Sequence, residues 1–244
     1  MDGEVTLQAT AQRQAYDFIR GEILSGAYPG GAKVNPQTVA LRLGISRMPV
    51  REAIRQLDSE GLVTIRPNRG AIVTVLTPKE IAELFEMRAV LEALAARLAL
   101  PRLQGEALEE LELLRQRMDR VRGDAKTWIL RHNAFHNYLC GLSDRPRLAA
   151  EIDRFRTAVQ PYLLMSISVY QSTEMPHFEH EAIIDAVRSR NLARLESCMR
   201  DHVLSAARGV IEFLEQRGNA ARPVGKRAAA ASARRRPAVT ARSR

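Results

Sequence analysis

Residues 40–70 read ALRLGISRMPVREAIRQLDSEGLVTIRPNRG, and no other stretch constrains the fold as strongly. Ala40, Gly44 and Val50 stand at the offsets of a helix-turn-helix. The pattern needs a small residue where two helices touch, a glycine for the turn, and an apolar residue to lock the second helix. Ser46 is a good N-cap for that second helix, and Pro49 fits its first turn, where backbone donors lack helical partners. Val50, Ile54 and Leu57 recur at i, i+4 and i+7 and face inward, while Arg47, Arg51 and Arg55 recur at i, i+4 and i+8 as a basic outer stripe. Residues 62–66 and 71–75 then read as two strands with PNRG as their turn. Such a wing can bring Asn68, Arg69 and the Gly70 backbone near a phosphate or the minor groove.

Most arginine stripes are only solvated helix faces. Here the stripe coincides with helix-turn-helix offsets followed by a hairpin, and that context points to double-stranded DNA as the partner. Upstream, Ala15, Phe18, Ile19 and Ile23 recur at helical spacing, whereas residues 1–10 show no clear pattern and are expected to be mobile. Gly26 and the PGG at 29–31 end that helix, and Pro36 suits the first turn of the next.

The net charge of +9 does not itself argue for nucleic acid. Residues 217–244 carry nine of the 37 Lys and Arg and no acid, which leaves 28 basic against 28 acidic residues in the rest of the chain. This Ala/Arg/Pro-rich tail cannot bury enough surface to offset its ordering entropy and is expected to be disordered. It either grips phosphates without sequence choice or keeps the protein soluble. No apolar run approaches the ~20 residues of a membrane span, and no signal layout opens the chain. Cys140 and Cys198 are too few for a disulfide framework. The expected setting is the cytoplasm, with no membrane partner.

Thr77, Pro78 and Glu80 compose a capping box with proline at the first helical position, and mark a boundary near residue 76. Ile81, Leu84, Phe85, Arg88, Leu91, Ala95 and Leu98 follow on one side of a helix that Pro101 stops. Further helices are expected over 106–121, 124–142, from Pro146 with a bend at Pro161, from Pro176 to Val187, and from Asn191 to about residue 216. The fold expected is therefore mainly α. A winged helix-turn-helix spans 11–76, and an all-α bundle of six or seven helices spans 77–216.

All five histidines lie between residues 132 and 202. His132 and His136 share a helix face at i, i+4, with Cys140 one turn further on, and His180 and His202 belong to two other helices. A single such histidine is more often a satisfied core residue. Imidazoles converging from three helices can nevertheless supply most of a shell for Zn²⁺ or a similar divalent ion.

GISRMPVREAIRQLDSEGLV, followed by RPNRG, closely resembles the N-terminal winged helix of the GntR superfamily of bacterial transcription regulators. The resemblance implies base and phosphate contacts from Arg47 and Arg51. Ser46, Met48, Pro49 and Arg55 would share that surface, and Asn68, Arg69 and Gly70 the wing. Many members carry a charged residue near the start of the preceding helix, where this chain has Asn35, Pro36 and Gln37.

HNAFHNYL and FEHEAIIDAVRSRNLARLESCMRDHV resemble the ligand-sensing FCD domain of the FadR-type branch. That resemblance implies a metal held by His136, His180 and His202. The fourth position falls on His132, where the family usually has Asp or Asn; four nitrogens would favour Zn²⁺ or Ni²⁺. It also implies a small carboxylate effector, with Arg88 (in an R-x-x-L-E pattern with Leu91 and Glu92) and Arg156 as pocket candidates. The alternative for each arginine is a structural ion pair, for Arg88 with Glu92, because a buried unpaired guanidinium is costly.

The function expected is a DNA-binding transcription regulator, a repressor rather than an enzyme. It would act as a homodimer on a palindromic operator and respond to a small organic acid. Two other readings are a metal sensor and a helical metallohydrolase. Against the hydrolase, four protein ligands leave no open water position unless coordination expands.

Overall fold

The computed structural model describes residues 2–67, 69–121, 124–170 and 175–220. Asn68 and residues 221–244, most of the basic tail, lie outside the described residues. The first half of the chain runs α1 (Asp2–Leu24), β1 (Lys33–Val34), α2 (Pro36–Leu43), α3 (Arg47–Ser59), β2 (Val63–Arg66) and β3 (Gly70–Val73). Helix α1 begins at Asp2, nine residues before the expected start at Ala11, so the stretch expected to be mobile belongs to the helix.

Each boundary has a local cause. Asn35 caps α2 by accepting from the backbone N–H groups of Gln37 at 2.9 Å and Thr38 at 3.5 Å, with Pro36 at the first helical position. Asn35, Pro36 and Gln37 thus serve to start a helix. Gly44 ends α2 at φ 66°, a left-handed conformation suited to glycine, and the Ile45 N–H returns to the Ala40 carbonyl at 3.1 Å. Ser46 occupies the N-cap of α3, but its side chain makes no capping hydrogen bond. That expectation was right in position and wrong in chemistry.

The sheet has the order β1-β3-β2, all antiparallel, with Lys33 opposite Ile72 and Ile65 opposite Ala71. Ala15, Ile19 and Ile23 of α1 pack with Val39, Val50, Ile54, Leu57, Val63 and Val73 in one core. Fully burying an aliphatic side chain contributes roughly 1.5–3 kcal/mol, so this face rather than helix propensity holds the unit together.

The second half comprises α4 (Pro78–Ala99), a 3-10 turn (Leu100–Arg102), α5 (Glu106–Asp119), α6 (Ala125–Gly141), α7 (Pro146–Tyr170), α8 (Met175–Arg188) and α9 (Leu192–Ala220). The capping box forms as expected: the Glu80 N–H donates to Thr77 Oγ1 at 3.2 Å and the Thr77 N–H to Glu80 Oε2 at 2.7 Å. Ala89, Ala93, Ala95, Ala96 and Ala99 are buried along α4, which keeps neighbouring helices close. Phe135, Leu139, Ile183, Ile184, Leu195 and Met199 fill the main core of the bundle.

Helix α7 carries Pro161, the position of the expected bend, in its interior and runs on to Tyr170. Proline has no N–H, so the Thr157 carbonyl four residues earlier loses its helical donor. Two hydrogen bonds tie the halves of the protein together on this helix. Arg20 Nη2 of α1 donates to Thr157 Oγ1 at 3.0 Å, and the Leu76 N–H donates to the Tyr162 hydroxyl at 2.6 Å.

Candidate functional site: a reading helix and a buried histidine centre

Helix α3 presents Ser46, Arg47, Met48, Arg51 and Arg55 to solvent, while Val50, Ala53, Ile54 and Leu57 are buried beneath them. Pro49, expected on the contact surface, is instead buried with Val50 and serves the core. Arg55 Nη1 lies 2.7 Å from Glu52 Oε1 in an exposed pair, which contributes little stability but occupies its charge. Arg47 and Arg51 make no ion pair among the described residues. In the wing, Arg69 and Gly70 are exposed; Gly70 has φ 77°, a conformation that favours glycine and sharpens the turn into β3.

Some 60 residues on, His132 and His136 of α6, His180 of α8 and His202 of α9 converge. All four are buried, and one ring nitrogen from each lies within 4.8 Å of the others. The sequence-expected set is thus brought together from three helices. The rings are packed as well as clustered: His136 and His202 stack at 5.0 Å, and His132 lies 4.4 Å from His136.

A carboxylate fixes the tautomer of His202, and a second one biases that of His136. His136 Nδ1 is 3.1 Å from Glu92 Oε2, and His202 Nδ1 is 2.8 Å from Glu179 Oε2. A carboxylate beside Nδ1 draws the proton to that nitrogen and leaves Nε2 as a lone pair. The two Nε2 atoms then face each other at 3.1 Å in a dry interior. Two lone pairs at that distance repel unless a cation lies between them. Burial disfavours a protonated ring: it pushes His136 down to about 3 despite Glu92, and it holds His132 well below the ordinary value, with the neighbouring histidines adding to the effect. Two nitrogens ~2.1 Å from one tetrahedral ion lie about 3.4 Å apart, close to the observed spacing. The donor set therefore fits a divalent ion of the zinc or nickel type.

Arg88 and Arg156 converge on the same carboxylate. Arg88 Nε and Nη2 lie 3.0 and 2.9 Å from Glu92 Oε1, and Arg156 Nη2 lies 3.2 Å from Glu92 Oε2. The Arg156 and His136 contacts to Oε2 are close enough for ion pairing but lack hydrogen-bond alignment. Burial alone would raise the Glu92 carboxyl, yet Arg156 and then Arg88 hold it well below the usual range. Arg156 Nη1 also donates to Asn137 Oδ1. Arg88 Nη1 and Arg156 Nε are buried and make no hydrogen bond. Two permanent cations thus share Glu92 on one side of the imidazoles, while Glu179 stands on the other beside His202.

The Arg88–Glu92 pair was legible at i, i+4. The sharing of Glu92 with Arg156 and His136, and the roles of Glu179, Asn137 and Trp128, were not. These contacts cross between helices, and spacing along one helix carries no record of them.

Comparison with known proteins agrees with both halves. The pattern of bacterial regulatory proteins of the gntR family matches residues 11–73, and that of the FCD domain matches residues 83–205. The chain is 30% identical over 198 residues to a probable D-xylose utilization operon transcriptional repressor of Paenarthrobacter nicotinovorans, covering 80% of this chain and 87% of the relative. It is 29% identical over 203 residues to the HTH-type transcriptional repressor GlaR of Escherichia coli (strain K12), covering 78% and 91%. The E. coli McbR/YncC structure superposes with a TM-score of 0.73 at 21% identity, over 84% of this chain and 98% of that one, which establishes likeness of fold.

Proposed function

Because this chain belongs to the GntR family of bacterial transcription regulators and carries an FCD domain, we propose that it is a repressor controlled by a small organic acid. The acid binds beside a divalent metal in the helical domain and changes the protein's affinity for a palindromic operator. Regulators, not enzymes, are what the relatives and both domains indicate. A cytoplasmic setting follows from its partner, the operator.

One observation carries the effector reading: Arg88 and Arg156 share Glu92, and each keeps a buried donor without a partner. Such donors cost free energy until an anion satisfies them, and a carboxylate offers both the charge and the acceptors. His132, His136, His180 and His202 would hold the metal. When bound, the ion would add positive charge beside the two guanidiniums, and it would take an effector oxygen by expanding its coordination or by releasing one histidine. This charge and polarity favour short acids, such as lactate, sugar acids or dicarboxylates, over a long acyl chain.

The dimer reading rests on symmetry and on one helix face. A palindrome calls for two copies related by a two-fold axis. On α4, Met87, Val90 and Leu94 form an exposed apolar stripe, 43%, 56% and 41% accessible, and a second copy of the chain is its proposed cover.

The test is thermal shift of metal-loaded protein against a panel of small carboxylic acids, followed by operator binding with the acid that stabilises it. The expected result is one acid that raises the melting temperature and changes operator affinity. Operator affinity that responds to metal alone, with no acid acting, would establish a metal sensor instead. Four histidines able to complete a shell by themselves are the observation favouring that second reading.

A further inference from the structure

The imidazoles of the metal centre are not held alike. Glu179 Oε2 stands 2.8 Å from His202 Nδ1 in a hydrogen bond that fixes that ring in tautomer and orientation, whereas Glu92 Oε2 lies 3.1 Å from His136 Nδ1 as a charge contact without hydrogen-bond alignment. His132 has no such carboxylate. Its Nδ1 is buried without a hydrogen-bond partner. Its ring lies instead against the indole of Trp128, with centroids 4.8 Å apart and planes inclined by 27°. Trp128 is only 2% exposed and packs with Met118, Ile129 and Leu164. Its own Nε1 is likewise buried without a partner, so no hydrogen bond to that nitrogen holds the indole. Both residues lie on α6, one turn apart.

We propose that Trp128 is a positioning residue for the metal, acting through His132, and that His132 is the adjustable ligand of the site. A carboxylate on Nδ1 fixes the direction in which the opposite nitrogen points. A stacked ring holds the plane but gives the nitrogens no hydrogen-bonded aim. His132 is therefore held by packing, where His202 is held by a hydrogen bond. Were a further donor to bind a metal held here, His132 would be the ligand to give way, while His202 would stay aimed by Glu179.

The inference rests on the metal reading, and the experiment separates the two. Full-length protein is stripped and titrated with Co²⁺ alone, with affinity from chelator competition and geometry from the visible absorption bands. Removing a partner that orients a ligand typically costs 10–100-fold in metal affinity. Trp128→Leu is expected to weaken Co²⁺ binding about tenfold and to shift the bands. Trp128→Phe, which keeps a flat surface, should stay within about threefold of the parent. His132→Ala should still bind Co²⁺ with altered bands, whereas His136→Ala and His202→Ala should lose about a hundredfold or more. In a His132→Ala background, Trp128→Leu should have no additional effect, because its path to the metal has gone. Melting of the metal-free variants reads packing separately.

Trp128 is the single tryptophan of the chain, so its emission reports the stack directly. A Trp128→Leu protein with parental affinity and bands would overturn the proposal, as would an equal loss in the His132→Ala background. If Trp128→Leu does not fold, the ranking of His132→Ala against His202→Ala decides: equal losses overturn it. A parent protein that binds neither Co²⁺ nor Zn²⁺ overturns the metal reading and this proposal together.

Discussion

Arg20 of α1 donates to the Thr157 hydroxyl of α7 at 3.0 Å, and so joins the DNA-binding half to the residue that follows Arg156. Arg156 reaches Glu92 inside the helical half. Consecutive residues on one helix thus touch the Glu92 cluster and the unit that carries the reading helix. An effector can shift an equilibrium only by its differential affinity for two states, and this junction is a place where such a difference can be felt.

Thr157→Val keeps the shape and removes the acceptor. Losing one partly buried bond to a charged donor should cost about 1–3 kcal/mol. The informative readout is operator binding with and without the stabilising acid. The ratio of the two affinities should move toward one, and an unchanged ratio would exclude Thr157 from the coupling.

Arg51→Ala should lower operator affinity roughly 10–100-fold if it reads a base, the equivalent of about 1–3 kcal/mol. The side chain is exposed and unpaired among the described residues, so the melting temperature should hold. Arg55→Ala should cost less, because its charge is already shared with Glu52. Fluorescence anisotropy against operator and scrambled DNA distinguishes loss of specificity from loss of general affinity.

Glu92→Gln preserves size and removes the one carboxylate between Arg88 and Arg156. Breaking a buried pair by neutralising one partner costs about 3–5 kcal/mol, which urea denaturation would register. Part of that loss should return in the presence of a small carboxylate. Wild-type stability in the variant would mean that the two guanidiniums are satisfied by other groups.

Burial pushes the Cys140 thiol up to about 12, and the thiolate is the reactive form. Cys198 is only half-buried. Iodoacetamide at neutral pH should therefore modify Cys198 in the native protein and reach Cys140 only after unfolding. Mass mapping of the labelled peptides checks this, and equal labelling rates would show that the core beneath α6 opens.

What could be read in the sequence was what is local. The offsets of Ala40, Gly44 and Val50, the Thr77–Glu80 capping box and the i, i+4 pair of His132 and His136 are all encoded within one or two helical turns. Strand β1 escaped because it is two residues long and exists only through pairing with Ala71 and Ile72, nearly forty positions away. Pro49 was assigned to the DNA surface from its place in a motif, whereas burial is decided by what packs over it. Glu92 looked like one partner for one arginine. That it serves three cations or ligands depends on how α4, α6 and α7 cross, which no periodicity along a single helix expresses.

Pro161 changes what α7 can transmit. Its two ties to the DNA-binding half, Thr157 and Tyr162, stand on either side of the missing hydrogen bond. An unbroken rod would carry a displacement at Arg156 to both ties alike. A helix with one backbone hydrogen bond missing would bend more easily there, letting the Arg20 tie swing while Tyr162 stays bonded to Leu76, so that the reading helix would pivot rather than slide. In a two-fold dimer a pivot changes the angle between the two reading heads, and one base pair added between half-sites turns them by about 34°. Restoring the hydrogen bond with Pro161→Ala should then narrow the range of half-site spacings that the acid can switch.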